Sequence, residues 1–92
     1  LPLTLKWAEA AGVALSVALA RITSAPAEVL GLQSGQLAVG AAADVCVFDL
    51  ATVWQLTPEA LKSRGKNSPW TGYLLNGKVK KTLVGGRLVY QA

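Results

Sequence analysis

The sequence predicts an α+β chain, helical in its first third and made of strands and tight turns in the remainder. Three observations carry this expectation. Apolar residues recur at helical spacing through residues 1–30. A continuous apolar run, Val45-Cys46-Val47-Phe48, comes after the turn glycine Gly40 and lies between Asp44 and Asp49. Asn76-Gly77 and Gly85-Gly86 then punctuate alternating segments, as in an antiparallel meander.

Pro2 suits the first turn of a helix, where its missing N–H costs nothing. Leu3 and Trp7 follow at helical spacing and Gly12 is a stop, so a helix is expected over Pro2–Ala11. Leu15, Ala18, Leu19 and Ile22 form the stripe of a second helix, with Val13, Ala14, Val17 and Ala20 filling its other face. A helix apolar nearly all round is normally buried on several sides. Thr23 or Ser24 is placed to cap a short third helix that Pro26 opens and Gly31 ends.

Leu32 to Gly40 reads as a bend and a short strand in which Leu37 and Val39 alternate. The Val45–Phe48 run is then a buried central strand, covered on both faces. Val53-Trp54 suggests a further short strand, and Pro58 to Lys62 or Ser63 a turn of helix. Tyr73-Leu74, Val79–Val84 and Leu88–Tyr90 form a three-stranded meander with hairpin turns at Asn76-Gly77 and Gly85-Gly86.

Composition restricts the function. Ninety-two residues make one small domain at most, yet 52% are hydrophobic and only 15% charged, against about 25% charged in an average soluble domain. A small domain has proportionally more surface to cover, so part of this apolar surface is expected to meet further polypeptide or a partner subunit. The absence of methionine fits a fragment or a processed chain. No run reaches the roughly 18 apolar residues of a membrane span, and no basic start marks a signal peptide. Cys46 is the only cysteine, which excludes an internal disulfide; it is expected as a buried, inert thiol in a cytoplasmic protein.

Chemistry-bearing residues are few. Without histidine, the commonest metal ligand and the usual general base are missing. Asp44 and Asp49 lie five apart, on opposite faces of a strand, and suit backbone-accepting roles rather than a catalytic pair. Ser63 and Ser68 stand near lysines, with nothing to mark either as activated. Asn67-Ser68-Pro69 fails as a glycosylation acceptor because proline ends it. Gly85-Gly86 lacks the following helix of a phosphate cradle. Lys62, Arg64, Lys66, Lys78, Lys80, Lys81 and Arg87 lie in residues 61–92 with no acid. A nucleic-acid surface is one reading, and lysines guarding a sheet edge the favoured one. No catalytic, cofactor-binding or metal-binding residue is assigned.

Four stretches, in order, resemble dihydroorotases of the amidohydrolase superfamily. They are L-P-L-T-L at 1–5, T-S-A-P-A-E-V-L-G-L at 23–32, G-x-L-A-V-G-A-A-A-D-V-C-V-F-D at 35–49, and S-R-G-K-N-S-P-W-T-G at 63–72 with the closing G-x-V-x-x-T-x-V-x-G-R-x-V-Y at 77–90. Ala25 stands where the family usually has asparagine, and Asn67-Ser68-Pro69-Trp70 replaces N-T-P-F. The resemblance implies a C-terminal segment. Residues 1–32 would be terminal helices from the outer layer of a TIM-type barrel. Residues 33–92 would be the C-terminal part of a small, mostly antiparallel composite β-domain. It implies a parent that reversibly cyclises N-carbamoyl-aspartate to dihydroorotate in pyrimidine biosynthesis, using zinc-activated hydroxide for hydrolysis. The metal-binding histidines and catalytic aspartate would then lie upstream of Leu1, and this segment would hold no zinc and be non-catalytic alone. Its partners would be the rest of the parent chain, including the barrel and N-terminal β-strands. An inactive dihydroorotase-like scaffold of aspartate carbamoyltransferase, or another cyclic amidohydrolase of allantoinase or hydantoinase type, fits the same motifs.

Overall fold

The computed structural model describes residues 1–92. Three helices, α1 (Pro2–Ala11), α2 (Leu15–Ala20) and α3 (Ser24–Val29), precede strands β1 (Val45–Gln55), β2 (Leu74–Val84) and β3 (Arg87–Gln91). The strands form one antiparallel sheet in the order β1-β2-β3.

Helix α1 occupies the expected residues, with Pro2 in its first turn. Gly12 ends it at φ 67°, where Val13 N donates to Ala8 O (2.9 Å) and Gly12 N to Glu9 O (3.3 Å), the paired closure that a left-handed residue permits. Gly31 closes α3 in the same way, with Leu32 N bonded to Ala27 O at 2.8 Å. The hydroxyl cap expected between α2 and α3 is absent. Thr23 Oγ1 instead donates back to Leu19 O at 2.7 Å, satisfying a carbonyl at the end of α2. The helices bury alanines, namely Ala8, Ala18 and Ala27, while Leu15 and Val17 of α2 stay exposed.

The sheet departs from the expected one in four respects. Residues 32–40 form bends rather than a strand, because no neighbouring strand offers them a ladder; Val39 is fully exposed. The two short strands expected at 45–48 and 53–54 are one, β1. Its register, Asp49 opposite Lys78 and Val53 opposite Asn76, sets Leu50, Ala51 and Thr52 against the single residue Gly77, a bulge wide enough to break the sequence pattern. Asn76-Gly77 is not a hairpin: β2 runs straight through it. Finally, β1 is an edge strand and β2 the central one. Cys46 and Val47 are exposed, so neither the doubly covered strand nor the buried thiol is found. The second turn is as expected: Gly85 (φ 57°) and Gly86 (φ 78°) join β2 to β3 with Val84 opposite Arg87.

Between β1 and β2 the chain loops out through a short 3₁₀ turn, Pro58–Ala60. Its base is tied by Leu56 N to Tyr73 O (3.0 Å) and Gly72 N to Leu56 O (2.7 Å), and Leu56 is buried there.

The molecule is open. Only six of 92 residues are buried, and the accessible surface is 6721 Å²; a compact monomer of 9.6 kDa would expose about 5,100 Å². The radius of gyration is 14.4 Å, against about 12 Å for a compact chain of this length. Leu3, Trp7, Val29, Leu30, Leu32, Leu37 and Leu74 all stand exposed.

Candidate functional site

Asp44, just before β1, and Asp49, within it at the bulge, occupy separate places and do separate work. Asp44 Oδ1 accepts the backbone N–H of Gly85 (2.9 Å), and Gly86 N donates to Ala43 O (2.9 Å). Residues 43–44 thereby clamp the β2–β3 turn. The N–H of Gly85 that a phosphate cradle would use is committed to this carboxylate.

Asp49 closes the bulge on its own strand. Its carboxylate accepts Ala51 N at 2.8 Å and Thr52 Oγ1 at 3.0 Å. These bonds, the backbone one foremost, hold its pKa below the ordinary 3.8 by favouring the charged form.

The serines near lysines form no nucleophile pair. Ser63 Oγ donates to Gly65 O (2.8 Å), Ser68 Oγ accepts Trp70 N (3.3 Å), and Lys66 Nζ donates to Leu61 O (2.6 Å). Each is spent on local backbone. No group of three or more His, Cys, Asp or Glu residues is arranged to hold a metal ion.

Of the basic residues expected to guard a sheet edge, only Arg87 lies on an edge strand, β3. Lys78, Lys80 and Lys81 lie on the central strand β2. Lys78 Nζ sits 5.8 Å from the Trp54 ring, Lys62 Nζ 5.9 Å from Tyr90 and Lys6 Nζ 5.1 Å from Tyr73, within the range of cation–π attraction.

What the chain does assemble is an apolar groove of about 660 Å³. It draws on one helix, the loop and all three strands: Leu3 at the start of α1, Trp54 of β1, Leu61 and Trp70 of the loop, Val79 of β2 and Tyr90 of β3. The Trp54 indole N–H donates to Gly77 O at 2.9 Å, which fixes the ring at the groove. A smaller cavity of about 420 Å³ lies between α1, α2 and the β1 bulge, with Leu5, Val13, Leu15 and Leu50 among its walls. The sequence offered a signal for the larger groove in the tryptophans flanking a turn-rich loop. Strand periodicity could not bring them together, because Trp70 belongs to no strand.

Residues 8–90 match the model of the amidohydrolase family. A dihydroorotase from Anaeromyxobacter dehalogenans (strain 2CP-C) is 51% identical over 70 residues, 76% of this chain and 16% of that protein. Dihydroorotases from Anaplasma phagocytophilum (strain HZ) and Geobacter sp. (strain M21) are each 42% identical over all 92 residues, 21% and 22% of their lengths. The chain thus spans about a fifth of the curated relatives it matches. A solved D-hydantoinase superposes with a TM-score of 0.88 over 98% of this chain and 20% of that one, at 21% identity, and shares the fold of this segment.

Proposed function

The chain belongs to the amidohydrolase family, and from that premise we propose that it is a structural segment, C-terminal in position, of a dihydroorotase. The parent protein would interconvert N-carbamoyl-aspartate and dihydroorotate, and this segment would contribute scaffold rather than reacting groups. The observation that carries the reading is the alignment of the whole chain, in one stretch, with proteins named dihydroorotase at 42% identity. The internal chemistry supports the scaffold role. The residues present do not fit the zinc that such a parent would use: there is no histidine, no cluster of three donors, and the carboxylates of Asp44 and Asp49 already accept backbone N–H groups.

The surface supports the same role. Helices α1 and α2 leave apolar faces uncovered, and the sheet ends in two free edges. In the parent these faces would pack against the barrel and the remaining β-domain strands. Residues 1–32 would form part of the barrel's outer layer and residues 33–92 part of the β-domain, joined through the packing of Leu5 on Gly77.

Two preparations test this. Residues 1–92 alone should neither retain stoichiometric zinc nor hydrolyse dihydroorotate, and the full-length polypeptide should hydrolyse dihydroorotate. Turnover by the isolated segment would overturn the scaffold role. A full-length protein that cleaves allantoin or a hydantoin but not dihydroorotate, or is inert to all three, would overturn the substrate assignment.

A further inference from the structure

The large groove is apolar in its walls and cationic at its rim. Lys62 and Lys78 both line it, and no aspartate or glutamate does. Each ammonium stands over an aromatic ring, Tyr90 and Trp54 respectively. Residues 61–92 as a whole contain seven cations and no acid. Covering such a groove with a purely apolar segment would strip water from the two ammonium groups, a strongly unfavourable step without a compensating charge. Aromatic faces offset only part of that loss.

Resting on the reading of this chain as one part of a longer protein, we propose that the groove is filled by an apolar segment of the same polypeptide, outside these 92 residues, that presents a carboxylate to Lys62 or Lys78. The occupant is intramolecular because the relatives are about five times as long as the aligned stretch. The groove also joins α1, all three strands and the loop into one surface, so a single covering segment would fasten α1 and the loop to the sheet. Charge complementarity sets its chemistry: apolar side chains toward Trp54, Trp70 and Leu61, and an acid at the rim.

The test uses the full-length polypeptide, native and denatured. Acetylation by an N-hydroxysuccinimide ester should label Lys62 and Lys78 at least tenfold more slowly in the native protein. A water-soluble carbodiimide should couple one of them to an Asp or Glu outside residues 1–92. In a mixture of light and ¹⁵N-labelled protein, the coupled peptides should be all light or all heavy. Labelling at the denatured rate, protection without any carbodiimide product, or mixed-isotope products would each overturn the proposal. Dihydroorotate hydrolysis measured on the same sample reports separately on the functional reading, since the groove can be covered whatever the substrate.

Discussion

Gly77 joins three constraints at one residue. Its φ of 91° lies where side chains are strained, a Cβ there would stand 2.5 Å from Leu5 Cδ1, and its carbonyl accepts the Trp54 indole. In the full-length protein, Gly77→Ala should therefore destabilise by about 2 kcal/mol, combining backbone strain with displacement of Leu5. Chemical denaturation would read this as a lower midpoint, and an unchanged midpoint would show that Leu5 and the bulge adapt freely. Asp44→Ala removes the acceptor of Gly85 N and should cost about 1 kcal/mol, with faster amide exchange at Gly85. Asp49 supplies a pH dependence. Its folded pKa lies below the ordinary 3.8, so its contribution is fully present above that value and fades as pH falls through the lowered one. Because the group is on the surface the effect is small. Asp49→Asn should flatten the acid limb of the stability profile below about pH 4, and an identical acid limb would show that the bulge does not depend on the charge.

Among the elements, local signals were legible and pairings were not. Pro2 and Gly12 delimit α1 through their own backbone preferences, and Gly85-Gly86 makes its hairpin for the same reason. Asn76-Gly77 carries an equally strong local turn signal, yet tertiary packing overrides it: β1 lies along β2 and Leu5 needs the space that only glycine leaves. The long β1 was hidden by Leu50-Ala51-Thr52, whose bulge breaks the alternation. Cys46 shows the limit from the other side. An apolar run implies cover on both faces, and nothing within these residues covers Cys46. The aspartates' backbone-accepting roles were legible because strand spacing alone separates Asp44 from Asp49. The groove was not, since Trp54, Trp70 and Tyr90 meet only through the loop between β1 and β2. At this scale β1, like β3, is an open flank of the sheet when residues 1–92 are studied alone. Its amides on the free edge should exchange faster there than in the full-length protein, and equal rates would mean that nothing pairs with that edge.

For the whole molecule, the excess of about 1,600 Å² over a compact monomer of this mass is about twice what one partner buries in a standard protein interface. The isolated segment should accordingly bind a hydrophobic dye and self-associate as its concentration rises, and a monomeric, dye-silent segment would contradict the picture of an uncovered face. No helix is long and apolar enough to cross a membrane. On the proposed function, these residues are scaffold for dihydroorotase chemistry carried elsewhere in the polypeptide. The most direct measurement replaces the aligned fifth of the Geobacter sp. (strain M21) dihydroorotase with residues 1–92 and follows dihydroorotate hydrolysis. The chimera should fold and keep kcat/KM within about tenfold of the parent, a loss of no more than about 1.4 kcal/mol. A folded, zinc-loaded chimera without turnover would contradict the scaffold role.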